Sequence, residues 1–204
     1  MKKIPHTLHN PRIVLASISP KRKELLEMIG ISVVVDPSNC VEIQKKGESF
    51  ISFARRVSRD KARCVAIRHT DSIVIAADTF ATIGNRFFGK ARTVGEARAT
   101  LKSLSGRTHR AITGTTIIDT KSGREKTFVT QTRVTFRKIR PDELEWFLAS
   151  GEWRGKAACY TIIGKAACFI QRIDGDIGTV LGLPLNELAL QLRALGYPLD
   201  SLTA

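Results

Sequence analysis

Asp78 ends the apolar run Ser72-Ile73-Val74-Ile75-Ala76-Ala77 and is followed by Thr79. A short, β-branched and almost uninterrupted run reads as a strand buried on both faces. In open α/β sheets, ligands bind at the carboxyl ends of such strands. Alone, Asp78 would be no more than an acidic residue that ends a strand, but other segments supply complementary groups. Leu15-Ala16-Ser17-Ile18-Ser19-Pro20-Lys21-Arg22 reads as a strand, a small-residue loop and a helix start. The orphan amides of a helix N-terminus, with hydroxyls and cations beside them, suit a phosphate. Gly84-Asn85-Arg86-Phe87-Phe88-Gly89-Lys90-Ala91 stops one residue short of a P-loop. A P-loop needs a hydroxyl where Ala91 stands and a helix that begins at once, so the motif is rejected and Lys90 alone is kept as a candidate phosphate ligand. Leu104-Ser105-Gly106-Arg107-Thr108-His109 is explained by a helix end and a strand start, and His109 receives no proton-transfer role.

Alternating strands and helices must position these groups. Arg12 to Ser17 predicts a strand, and Ser19 caps a helix from Pro20 to Met28 that Gly30 closes. Ile31 to Val35 predicts a second strand, and Phe50 to about Arg68 a helix with apolar residues at Ile51, Ala54, Val57 and Val65. Gly84-Asn85 marks a hairpin, and Thr93 with Glu96 forms a capping box for a helix reaching Leu104. Thr108 to Asp119 and Lys126 to Phe136 read as paired strands joined at Lys121-Ser122-Gly123. A helix from Pro141 to Ala149, a strand from Cys168 to Ile173 and a helix from Leu185 to Ala194 complete the chain. No linker or internal repeat divides residues 1–204, so the expectation is one α/β domain with a mixed sheet.

A net charge of +14 and a pI near 10.1 favour anionic partners: nucleotides, nucleic acid or an acidic surface. The basic residues are dispersed, with no polybasic tail, and aromatics are only 6%, which counts against a single-strand stacking platform. Cys40, Cys64, Cys159 and Cys168 have no C-x-x-C spacing, so free buried thiols in a reducing compartment are expected and a zinc site is not. His6, His9, Asn10, Pro11 and Arg12 interrupt any apolar N-terminal run. Neither a signal peptide nor a membrane span is expected, and the location expected is the cytoplasm.

Taken in order, these segments resemble the Maf family of nucleoside triphosphate pyrophosphatases, whose fold is shared with the inosine triphosphate pyrophosphatases. The family's L-A-S-x-S-P-R-R matches Leu15 to Arg22, its A-D-T matches Ala77-Asp78-Thr79, and its L-S-G-x-T-H and T-G match Leu104 to His109 and Thr113-Gly114. Its K-A-G-x-Y is Lys156-Ala157-Ala158-Cys159-Tyr160 and its V-G-L-P is Leu181-Gly182-Leu183-Pro184. The resemblance implies a mixed twisted sheet flanked by helices around a central cleft. It also implies hydrolysis of a nucleoside triphosphate to monophosphate and diphosphate with a divalent cation, Mg or Mn. In that reading Asp78 is the proton acceptor and a metal ligand with Glu42. Arg22, Lys61 and Lys90 face phosphates beside Ser17, and Lys21, Thr79 and Ile163 occupy the base-specificity positions.

The chain departs from the pattern at Lys21 for arginine, Ala91 for proline, Ala158 for glycine and Ile163 for glutamine, so only Thr79 agrees with relatives that prefer dTTP and UTP. Pyrimidine or modified nucleotides are the expected substrates, with misincorporation limited as the outcome. A homodimer is compatible with the family; neither a membrane nor a specific nucleic acid is an expected partner. The competing expectation is an impaired member acting as a basic nucleic-acid-binding or cell-division regulatory protein.

Overall fold

In a computed structural model, residues 11–203 are described. The reading of the N-terminal residues 1–10 lies outside them. Seven strands form one mixed sheet in the order β2-β1-β3-β5-β6-β7, with β4 pairing β3. They are β1 (Arg12–Leu15), β2 (Val34–Val35), β3 (Ser72–Ile83), β4 (Arg86–Phe88), β5 (Thr108–Asp119), β6 (Glu125–Phe136) and β7 (Ile170–Asp174). The helices are α1 (Pro20–Met28), α2 (Phe50–Ala66), α3 (Val94–Leu104), α4 (Pro141–Ala149), α5 (Ile177–Leu181) and α6 (Leu185–Ala194). β1 runs parallel to β2 and β3, whereas β3, β5, β6 and β7 pair antiparallel.

Strand periodicity sorts the core. Along β3 the even positions Val74, Ala76 and Phe80 face α2, packing with Ala62, Val65 and Phe53. The odd positions Ile73, Ile75 and Ala77 face α1 and α6, meeting Leu25, Leu26, Leu188 and Leu192. A third cluster joins α3 and α4 around Leu101, Phe136, Phe147 and Phe169. Helix α2 buries one stripe, Phe53, Ala54, Val57, Ser58, Lys61, Ala62 and Val65, at the 3- and 4-residue spacing of an amphipathic helix. One member of that stripe is a lysine.

Several expectations change. The second strand shrinks to Val34–Val35, because Ile31 is fully buried in the core instead of pairing. Ser19 occupies the N-cap of α1, yet its side chain makes no capping bond. The last strand starts later, at Ile170, after a turn of 3₁₀ helix over Lys165–Phe169, and the short helix α5 was not anticipated. The cysteines also differ. Cys40 and Cys64 are bonded to each other across 24 residues, Cys159 is free and buried, and Cys168 is free and exposed. Spacing carried no sign of the pair because the fold, not the sequence, brings the loop after β2 onto α2.

Candidate active site

Asp78 does not end its strand. β3 continues to Ile83, held by β5 from Ile73 to Thr82, where Asp78 lies opposite Gly114. The other edge of β3 is interrupted instead. β1 accompanies it only as far as Leu15 opposite Ile75, and β4 joins only from Ala81 opposite Phe88. Between them Ala76 to Phe80 have no strand partner on that edge among the described residues. The carboxyl end of β1 therefore does open onto Asp78, as the α/β rule requires, although the residue itself belongs to the neighbouring strand. A cavity of about 1050 Å³ fills this gap, lined by Ser17, Arg22, Glu42, Lys61, Asp78, Thr79 and Lys90 among others.

Consecutive strand residues point to opposite faces, so Asp78 and Thr79 reach different helices. Asp78 faces α2, where Lys61 completes the buried stripe. The Lys61 ammonium donates to Asp78 Oδ1 at 2.6 Å and lies 2.5 Å from Glu42 Oε1. One buried cation thus joins the strand carboxylate to a carboxylate on the loop 36–49. Thr79 faces α1. The guanidinium of Arg22 donates from Nη1 to Ser17 Oγ at 2.9 Å, from Nε to the Gly182 carbonyl at 2.8 Å and from Nη2 to Thr79 Oγ1 at 3.2 Å. Burial pushes the Arg22 pKa down, and the charges of Asp78 and Glu42 oppose that. Thr79 in turn shares a 2.8 Å hydrogen bond with Thr113, which donates to the Thr179 carbonyl at 2.7 Å. The segments Leu15–Arg22, Ala77–Thr79, Thr113–Gly114 and Leu181–Pro184, scattered in sequence, meet in this one network.

The loop carrying Glu42 is fastened along α2. Asp36 accepts from Arg68 and pairs with His69 at the helix C-terminal end, and Glu48 pairs with Arg56 near its N-terminal end. The Arg56 hydrogen bonds hold the Glu48 carboxyl down at about 2, from an ordinary 4.5. A carboxyl depressed by folding stabilises fully above its unfolded value and loses that contribution as pH falls toward the folded one. The Glu48 latch should therefore persist above about pH 4.5 and weaken from there toward pH 2. An NMR titration of the Glu48 carboxyl carbon should give a midpoint near 2; a midpoint at the ordinary carboxylate value would mean that the latch does not form in solution.

Lys90 lies at the cavity wall, and its backbone pairs with that of Ala157, while the Ala158 amide donates to the Gly89 carbonyl. This pairing ties the β4 hairpin to the loop 155–161. Ala158 and Cys159 both have positive φ, 52° and 66°, which explains why a glycine suits the first of these positions and why alanine there is strained. Tyr160 holds the loop from behind through a 2.6 Å hydrogen bond to buried His109, whose pKa burial pushes down to about 4. His109 is thus a neutral packing partner. Lys21 lines the cavity and is ion-paired with Glu24. Ile163 is different: it is 59% exposed and outside the cavity wall, to which this loop contributes Tyr160 and Thr161 instead. The chain turns away after Thr161 into the 3₁₀ turn that begins at Lys165.

Sequence reasoning missed the aromatic wall. Phe53, Phe80 and Phe87 line the cavity, with Phe80 and Phe87 centroids 5.0 Å apart. The signal was a phenylalanine on the buried stripe of α2 and two more on a hairpin, which pattern alone reads as core.

Glu42 and Asp78 are hard oxygen donors held against one ammonium, and no group of three or more acidic, histidine or cysteine side chains suited to a metal exists among the described residues. Two carboxylates opening on a phosphate-binding cavity fit Mg²⁺ or Mn²⁺, which are commonly held by one or two carboxylates and the phosphates of the substrate.

A mixed sheet interrupted at one edge, with a carboxylate, a bridging lysine and a buried arginine around the gap, defines a nucleotide- or phosphate-handling α/β protein. The profile of the Maf-like protein family matches residues 12–195, and the chain belongs to that family. Among similar proteins, one named dTTP/UTP pyrophosphatase from Syntrophus aciditrophicus is 40% identical over 185 residues, 91% of this chain and 90% of the relative. A protein of the same name from Myxococcus xanthus is 41% identical over 188 residues, covering 92% and 94%. Another from Zymomonas mobilis is 41% identical over 191 residues, covering 93% and 94%. A more distant likeness is a HAM1 protein from Coxiella burnetii, with a TM-score of 0.43 and 17% identity over 63% of this chain and 74% of that one. No described helix is long and apolar enough to cross a membrane.

Proposed function

We propose that the chain is a nucleoside triphosphate pyrophosphatase that releases diphosphate from pyrimidine nucleotides, dTTP and UTP first. It would need Mg²⁺ or Mn²⁺ and would work in the cytoplasm. The observation that carries the reading is the Glu42–Lys61–Asp78 bridge at the β3 gap, across the cavity from Arg22 and Ser17. The names of the relatives support the substrate class.

Hydrolysis between the α- and β-phosphates needs a base for water, charge neutralisation and fixed geometry. Asp78 accepts the proton of the attacking water, oriented by the Lys61 bond to its Oδ1. Arg22 is held as a rigid fork by Ser17, Thr79 and Gly182, and serves with Lys61 and Lys90 to neutralise phosphate oxygens. Glu42 and Asp78 would hold the divalent cation, which adds charge to stabilise the departing diphosphate. Thr79 and Lys21, which line the same cavity, are assigned to the base end of the nucleotide.

Diphosphate release measured with dTTP, UTP, CTP and GTP, with Mn²⁺, Mg²⁺ or chelator, tests this. Turnover of dTTP and UTP should depend on the metal. Because Ile163 adds no hydrogen bond to a base, CTP and GTP should follow within about 100-fold in kcat/KM, since strong rejection comes from buried polar groups left unpaired. No diphosphate from any nucleotide with either metal would overturn the activity. A preference beyond that margin would overturn the reading of the base pocket.

A further inference from the structure

The loop 36–49 runs antiparallel along α2, and its fastenings follow one another in order. Asp36 meets Arg68 and His69, Cys40 is bonded to Cys64, Glu42 meets Lys61, and Glu48 meets Arg56. Three of these are ion pairs. The covalent one lies two residues from Glu42 on the loop and three residues, about one turn, from Lys61 on the helix. Pro37, Ser38, Asn39 and Glu42 of the same loop line the cavity. The bond sits outside the core clusters: Cys64 is exposed and Cys40 half-buried.

We propose that Cys40 and Cys64 form a reversible thiol–disulfide site, exchanging with low-molecular-weight thiols and disulfides, whose closed form holds Glu42 over the Lys61–Asp78 pair and whose open form loosens it. The role given to Glu42 rests on the function proposed above. Three features carry the inference. An exposed sulfur is open to attack by a thiolate. Opening the bond leaves the hydrophobic core untouched, so its effect falls on the strap and its cavity wall, a local event rather than global unfolding. In the cytoplasm, the location proposed above, a disulfide is typically transient or redox-sensing rather than structural.

The exchange balances as follows. An external thiolate attacks Cys64 Sγ, the Cys40–Cys64 bond breaks, and Cys40 leaves as a thiolate that takes a proton. A second external thiolate attacks the mixed disulfide, and Cys64 leaves and is protonated. Two external thiols lose two electrons in becoming one disulfide, and the protein disulfide gains them. A low-molecular-weight disulfide such as oxidised glutathione drives the reverse.

The experiment compares full-length protein treated with oxidised glutathione and with dithiothreitol, beside Cys40→Ser and Cys64→Ser. Alkylation in denaturant followed by mass measurement should count two thiols in the oxidised protein and four in the reduced. Trypsin should cut after Lys45 or Lys46 about tenfold faster when the bond is open, and kcat/KM for dTTP should fall about tenfold. Each serine variant keeps three cysteines, and both should be cut and turn over as the reduced protein does, whichever reagent is used. Four labelled thiols after oxidised glutathione would overturn the proposal. So would equal cleavage and equal kcat/KM in two samples whose thiol counts differ. If no sample releases diphosphate, the functional reading fails on its own account, while thiol count and tryptic cleavage still decide whether the strap is redox-controlled.

Discussion

Replacing Asp78 with Asn should lower kcat/KM for dTTP by more than about 100-fold while the protein stays folded, as expected for loss of a general base or metal-binding carboxylate. The substitution keeps shape and volume but removes the charge facing Lys61 at 2.6 Å. Breaking a fully buried ion pair by removing one partner costs about 3–5 kcal/mol. The loss should be smaller here, because Glu42 still accepts from Lys61 and the pair opens on the cavity. Circular dichroism and a thermal melt would establish the fold, and diphosphate release at saturating metal would establish the rate. Near-normal turnover in a folded Asp78→Asn protein would remove Asp78 from its role.

Gly114→Ala should be strongly destabilising, because of the chain's glycines Gly114 is the one where an added Cβ meets backbone most closely. Gly114 sits opposite Asp78 on β5, beneath α2, and a Cβ there would lie 2.1 Å from the Ala54 carbonyl oxygen and 2.5 Å from its carbon. The obstacle is backbone, so no rotamer change relieves it. Overpacking a core typically costs about 1–3 kcal/mol, and a clash with helix backbone belongs at or above the upper end of that range. Relief requires α2 to lift, and α2 carries Lys61. Activity should therefore fall together with stability, unlike in Asp78→Asn. Urea unfolding measures the first effect; a Gly114→Ala midpoint indistinguishable from wild type would show that α2 does not pack this closely.

Several elements could be read from sequence because local chemistry specifies them. Helix α2 was visible in its apolar spacing, and the β5–β6 hairpin in two long strand-like runs around Ser122-Gly123. The same logic placed Asp78 at the end of a strand, which proved wrong in a definite way: Asp78 and Thr79 interrupt the apolar run, which resumes at buried Phe80 and Ala81, and β3 continues to Ile83 paired with β5. What makes Asp78 accessible is the end of β1 at Leu15, a property of the neighbouring strand.

Long-range geometry decided the rest. Ile163 and Thr161 are two residues apart, and only the path of the loop determines that Thr161 lines the cavity and Ile163 faces solvent. Cys40 and Cys64 carried no spacing signal, since their pairing follows from the loop 36–49 lying antiparallel on α2. Sequence by itself determined which groups are present: a carboxylate after a buried strand, a lysine on an amphipathic stripe, and a serine and an arginine around a helix start. Tertiary structure alone decided that Asp78 and Thr79, pointing to opposite faces of one strand, would meet Lys61 and Arg22 across a gap in the sheet. A strand alternates its side chains locally, but which helix covers each face is set by how the whole chain buries its apolar surface.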